Sequence, residues 1–152
     1  MFRGINAISI DTKGRLSVPT RYREALIQAK QSPVVITIDT DAPCLLLYPI
    51  DQWECIEKKL VELPSFNPVA RRIQRLLIGH ATEIELDTSG RLLIPNVLRE
   101  YAGLEKDCMM VGQGQKFEIW SAARWETCRN EWLQADLTQT DEMPVELIQL
   151  HL

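Results

Sequence analysis

One short pattern occurs twice in this chain. Asp11-Thr12-Lys13-Gly14-Arg15 returns 76 residues later as Asp87-Thr88-Ser89-Gly90-Arg91. The copies stay in register past the turn: Arg15-Leu16-Ser17-Val18-Pro19 lies over Arg91-Leu92-Leu93-Ile94-Pro95, and Arg23-Glu24 over Arg99-Glu100. A unit of half this length is near the lower limit for a core of its own, so two repeats sharing one core is the economical arrangement. Within each copy the aspartate suits the start of a type I turn, where its carboxylate accepts backbone N–H groups. The glycine supplies the left-handed residue of a G1 bulge. Asp11, Gly14, Asp87 and Gly90 thus frame two turns that present Arg15 and Arg91.

The flanking segments extend the repeat. Ile5 to Ile10 reads as a strand entering the first turn, with Arg15 to Val18 as its return and Pro19 opening a helix over Thr20 to Ala29. Val34 to Ile38 and Cys44 to Tyr48 form a second hairpin. A helix over Asp51 to Leu63, capped by Asp51, carries Trp53, Ile56, Leu60 and Leu63 at helical spacing. Asn67 caps a helix from Pro68 to about Ile78, with Val69, Ile73, Leu76 and Leu77 on its apolar side and Gly79 as its stop. The second half follows the same plan: strand Ala81 to Leu86, turn, strand Arg91 to Ile94, helix Pro95 to Ala102 stopped by Gly103, hairpin Cys108 to Trp120, and helix Ala122 to Leu133 burying Trp125, Cys128 and Trp132. Tyr48/Trp120 and Trp53/Trp125 match at an offset of 72, which places four extra residues around Gln28 to Pro33. These elements give an α+β fold with repeats over 1–76 and 77–134. An acidic tail over 135–152 is expected to be mobile, with Val145 to Leu152 transiently helical.

Composition narrows the function. Cys44, Cys55, Cys108 and Cys128 have no close pairing and only two histidines accompany them, so neither a disulfide framework nor a zinc site is expected. No export signal or membrane-length apolar run stands out, which predicts a soluble cytoplasmic protein. The net charge of −4 argues against nucleic acid, but the charge is unevenly spread. The first thirty residues carry Arg3, Lys13, Arg15, Arg21, Arg23 and Lys30 against only Asp11 and Glu24, whereas residues 130 to 152 hold five acids and no Lys or Arg. A local anion site on an otherwise acidic molecule follows. The acidic tail is a candidate competitor for that site.

D-x-x-G-R-L-x-[VI]-P resembles the DNA-binding AbrB-type superfamily. Two such copies, the Met-Phe-Arg-Gly start, Leu45-Leu46-Leu47-Tyr48-Pro49, Asn67-Pro68 followed by Arg71-Arg72, and Gly79-His80-Ala81 resemble the MraZ family of bacterial transcriptional regulators over almost the whole chain. The resemblance implies tandem swapped-hairpin repeats in a pseudo-symmetric, β-barrel-like domain, and a ring-shaped homo-oligomer associated with the nucleoid. It also implies a repressor that binds double-stranded DNA at short direct repeats upstream of the division and cell-wall gene cluster.

The candidate nucleic-acid-binding residues are Arg15, Arg91, Lys13 and Arg3. A guanidinium makes bidentate bonds to base edges or phosphate, and an aspartate in the same turn can orient it. Ser89 replaces Lys13 in the second copy, so the two turns are not expected to contribute equally. The basic face of Arg71, Arg72 and Arg75 reads as solvated or as a subunit contact, and His80 as a hydrogen-bonded histidine. Asp11 and Asp87 have a sufficient structural reason to be present. No phosphate loop or nucleophile arrangement occurs, so no enzyme, catalytic residue, metal, cofactor or small-molecule substrate is expected. The alternative is an oligomeric interaction module of antitoxin or adaptor type that uses the same basic turns to hold an acidic protein.

Overall fold

The two repeats exchange strands. In the computed structural model, which describes residues 1–27, 32–136 and 143–150, the elements run β1 (Ile5–Ser9), β2 (Arg15–Ser17), α1 (Thr20–Leu26), β3 (Val34–Ile38), β4 (Leu45–Pro49), α2 (Ile50–Val61) and α3 (Pro68–His80). There follow β5 (Thr82–Ile84), β6 (Arg91–Leu93), α4 (Asn96–Ala102), β7 (Asp107–Gly112), β8 (Phe117–Ser121), α5 (Ala122–Gln134) and α6 (Val145–Ile148). Six antiparallel strands lie in the order β1-β7-β8-β4-β3-β5, while β2 and β6 form a separate ribbon. Among the described residues the sheet ends at β1 and β5 and does not close into a barrel.

Each first strand joins the other repeat's hairpin: β1 pairs with β7 and β5 with β3. The local reading had each turn followed by a return strand along the strand before it. Instead β2 and β6 leave their turns and pair with each other, Leu16 opposite Leu92, and the first local hairpin is reduced to an Ile10–Leu16 bridge and the bond from Asp11 N–H to the Arg15 carbonyl at 2.9 Å. This is the swapped arrangement that the resemblance implied. Leu16 and Leu92 are fully buried at the centre of the ribbon, so crossing the repeats closes a shared core that neither could close alone.

The sheet is covered on both faces. The ribbon, α1 and α4 bury Leu16, Leu26, Leu92 and Leu98 against Ile36, Leu47, Phe117 and Ile119. On the opposite face α2 and α3 bring Trp53, Leu60, Ile73 and Leu77 onto Val35, Leu46 and Tyr48, and Trp125 and Cys128 of α5 pack with Trp120 and Val111. Double coverage explains why β3, β4 and β8 are buried at every position. The Thr37 hydroxyl, buried among them, is satisfied by donating to the Leu77 carbonyl at 2.7 Å.

Several boundaries differ from the sequence reading. Asn67 caps α3 as expected, accepting from the Val69 and Ala70 amides, but α3 runs through Gly79 to His80 because nothing there needs a left-handed residue. Asp51 lies inside α2 and does not cap it. Strand pairing continues to Pro49, so the helix starts at once at Ile50. Pro19 and Pro95 sit just before α1 and α4, and α1 stops at Leu26, where Ile27 turns extended. The second-repeat strand is only Thr82–Ile84. Val69 and Trp132 are half-exposed, and α5 has no fully buried residue. Of the four-residue insertion around Gln28 to Pro33, residues 28–31 lie outside the described residues. So do 137–142 and 151–152 of the acidic tail.

Candidate nucleic-acid interface

The two turns are built alike. The Asp11 carboxylate accepts from the Lys13 and Arg15 amides, both at 2.9 Å, and from Arg15 Nε at 2.7 Å. Asp87 accepts from the Ser89 and Arg91 amides, both at 2.9 Å, and from Arg91 Nε at 2.8 Å. Main-chain bonds close both loops in the same way: Gly14 N–H donates to the Asp11 carbonyl and Gly90 N–H to that of Asp87, each at 3.0 Å. Gly14 at φ +86° and Gly90 at φ +72° occupy the left-handed region that the bulge requires. The backbone amides of Arg15 and Arg91 hold the Asp11 and Asp87 carboxyls below the usual carboxylate range, and the arginine side chains act in the same direction. Both aspartates are therefore ionised near neutral pH.

Each turn aspartate engages its arginine at Nε, so hydrogen-bond donors remain on the terminal nitrogens. Side-chain exposure is 33% for Arg15 and 31% for Arg91. The ribbon brings the two together. With Leu16 and Leu92 turned inward, Arg15, Ser17, Arg91 and Leu93 lie on its outer face, where Arg15 opposes Leu93 and Arg91 opposes Ser17. The arginines are thus diagonal neighbours, about 7–8 Å apart at the backbone. Arg91 Nη1 also reaches within 4.0 Å of Asp11 Oδ2.

Lys13 is exposed at the tip of the first turn. Lys106 was not singled out in the sequence. Its carbonyl accepts from Ile10 N–H at 3.0 Å, and it borders a shallow depression with Ile10, Asp11 and Thr12. Nothing local marks it, because the strand swap is what brings it beside the first turn. Arg99 stood out only as a matching member of the repeat, and Arg23 as its counterpart and as one of the cations of the basic first thirty residues. They pack against the turn glycines of the opposite repeat. Arg3 is not brought to the turns. It lies beside Gly112, at the far end of β1 from Asp11, on the order of 20 Å away along an extended strand. Arg71, Arg72 and Arg75 are exposed on α3, whose apolar side covers the sheet face opposite the ribbon. His80 Nδ1 is 2.6 Å from the Leu76 carbonyl, a local helix bond.

The chain matches the family described as "MraZ protein, putative antitoxin-like" twice, over residues 1–76 and 77–147. The chain belongs to the MraZ family. A protein named transcriptional regulator MraZ from Legionella pneumophila (strain Corby) is 60% identical over 147 residues, 97% of each chain. One of the same name from Coxiella burnetii (strain RSA 493 / Nine Mile phase I) is 57% identical over 152 residues, the whole of both chains. A third, from Hydrogenovibrio crunogenus, is 53% identical over 134 residues, 88% of each. These MraZ relatives are named as regulators, not as enzymes.

Away from the turns, Asp39, Cys44 and Glu118 come within 4.8 Å of one another, a grouping that cysteine spacing does not reveal. Burial pushes the Cys44 thiol and the Glu118 carboxyl above their ordinary ranges, favouring the protonated forms. Cys44 Sγ donates weakly to Asp39 Oδ2 at 3.7 Å, and Trp120 Nε1 donates to Glu118 Oε2 at 2.9 Å. All four cysteines are free thiols. Among the described residues no helix is long and apolar enough to cross a membrane.

Proposed function

We propose that this protein is a sequence-specific DNA-binding transcriptional regulator that reads DNA with the outer face of the β2–β6 ribbon. The observation that carries this reading is the pairing of the two Asp-x-x-x-Arg turns, which places Arg15 and Arg91 together on the outer face of the ribbon, each about one-third exposed and held at Nε by its turn aspartate. A two-stranded ribbon fits a major groove, and an arginine so oriented can bond a guanine edge or a phosphate. The names of the relatives support the class of function.

The finer reading follows from family resemblance: a repressor acting on short direct repeats upstream of the division and cell-wall genes, as a ring-shaped oligomer associated with the nucleoid in the cytoplasm. Few cations stand near each ribbon, so one copy of an acidic chain binds DNA weakly. Linked copies on linked sites gain effective concentration. In a mobility-shift titration at fixed physiological salt, Arg15→Ala abolishes specific binding to the protein's own upstream region, leaving only the sequence-independent binding measurable at low salt, while the assembly elutes unchanged. Undiminished binding would reject the proposal.

The antitoxin-like description of the family favours a second reading, in which the same turns hold an acidic protein. Equal affinity for the upstream region and for scrambled DNA would support it over the first.

A further inference from the structure

We propose that Arg99 and Arg23 are positioning residues for DNA recognition that act across the repeat boundary, Arg99 holding the first turn and Arg23 the second. The inference rests on the ribbon being the DNA-reading surface.

Each arginine is tethered at home and leans on the neighbour. Arg99 Nε donates to the Ile94 carbonyl at 3.0 Å and Arg23 Nε to the Val18 carbonyl at 2.9 Å, both in their own repeat. A methyl group added at Gly14 would lie 2.7 Å from Arg99 Cζ, and one added at Gly90 would meet the Arg23 guanidinium still more closely. The main chain makes the same crossing. Ile94 N–H donates to the Gly14 carbonyl at 2.9 Å and Val18 N–H to the Gly90 carbonyl at 3.0 Å. Gly14 is therefore held on two sides by the second repeat, its carbonyl by the Ile94 amide and its α-carbon by a guanidinium that is itself fixed on Ile94.

The arrangement explains a requirement that turn geometry alone does not. A left-handed residue with a small side chain, such as asparagine, suits many bulged turns, but here the space above each glycine is filled. A turn clamped in this way presents Arg15 without first losing conformational freedom, which is where a loose tip would forfeit affinity. The two reading turns are thus one cross-braced unit, and damage to the second repeat disables the first turn.

Hydrogen exchange on the full-length protein, followed by mass spectrometry of peptides covering residues 10–16 and 86–92, tests the brace without DNA. Arg99→Ala speeds exchange in 10–16 by about tenfold or more and leaves 86–92 near wild type, and Arg23→Ala does the reverse. If each variant instead loosens the turn of its own repeat, or neither, the brace is refuted, whether or not the ribbon reads DNA.

The second arm titrates the upstream DNA. Arg99→Ala weakens binding about tenfold with an unchanged slope of log affinity against log salt, because no phosphate contact is lost. That loss disappears in an Arg15→Ala background at low salt and persists in an Arg91→Ala background. Arg99→Lys keeps the charge but not the planar fork and does not restore binding. Rescue by lysine, or a slope reduced by about one, would make Arg99 a direct phosphate contact and overturn the proposal.

Discussion

Arg91 Nη1 lies 4.0 Å from Asp11 Oδ2 while its own turn partner, Asp87, holds it at Nε at 2.8 Å. Asp11 therefore faces two arginines from two repeats, whereas Asp87 faces one. Removing Asp11 releases Arg15 from its 2.7 Å contact and also removes a carboxylate 4.0 Å from a terminal nitrogen of Arg91. Both substitutions open their turn, but Asp11→Ala disturbs Arg15 and Arg91 together. The expected outcome is a loss of DNA affinity of about tenfold or more for Asp11→Ala and a smaller loss for Asp87→Ala, since Asp11 meets two arginines and Asp87 one. Side-by-side titrations at one salt concentration check the order. Equal losses would mean that the cross-repeat contact contributes nothing.

Three glycines separate turn geometry from helix propensity. Gly14 and Gly90 have positive φ and an arginine packed against them, so alanine there is strained and displaces that arginine, costing about 1–3 kcal/mol each. Gly79 is a helical residue with open space around it, so Gly79→Ala stabilises by about 0.5–1 kcal/mol through helix propensity. Thermal unfolding should show Gly14→Ala and Gly90→Ala lowering Tm and Gly79→Ala raising it, by roughly 2–4 °C per kcal/mol.

Chain-local features were legible in the sequence. The Asp-to-amide bonds of each turn span at most four residues, so D-x-x-G-R specifies them by itself. The cap of Asn67 and the apolar stripe of Trp53, Ile56 and Leu60 were legible for the same reason. Partner choice was not. Residues 15 to 17 pair equally well by pattern with β1 or with β6, and only burial of Leu16 against Leu92 decides between them. Every feature that depends on that decision was hidden, including Lys106 beside the first turn and Arg99 over Gly14, while the meeting of Asp39, Cys44 and Glu118 was hidden behind a second long-range choice, the pairing of β4 with β8. Asp51 was misplaced because helix-start signals compete, and a proline ending a paired strand took the cap position.

The first turn has two nearby lysines, Lys13 at its tip and Lys106 across the strand swap. The second turn has Ser89 at the place of Lys13. If these lysines meet phosphate, Lys106→Ala and Lys13→Ala weaken binding to all DNA sequences alike. Each should also reduce the slope of log affinity against log salt by about one, whereas Arg15→Ala removes discrimination between the upstream region and scrambled DNA. Titrations at four salt concentrations on both DNAs measure the two effects separately. A Lys106→Ala variant with unchanged slope would remove it from the interface.

Glu118 stands where the first repeat has Leu46, and the two residues face each other across the β4–β8 pair at the middle of the sheet. Burial pushes its carboxyl pKa upward, while the indole N–H of Trp120 and the charge of Lys116 oppose that shift in part. A carboxyl whose pKa is higher folded than unfolded binds more protons in the folded state, so its stabilising contribution is present below the unfolded value and is lost as pH rises through the folded one. At pH 7 and above the ionised group is therefore a net cost. Glu118→Gln removes that ionisation yet keeps an oxygen to accept from Trp120 Nε1, so it should raise Tm at pH 7.5, with the advantage shrinking as pH falls towards 4.5. Glu118→Leu, which copies the first repeat, leaves the indole N–H of fully buried Trp120 unpaired and should be the less stable of the two. Thermal unfolding of wild type and both variants across this pH range decides the matter. A Gln variant less stable than wild type at pH 7.5 would show that the ionised carboxylate is itself held by the fold.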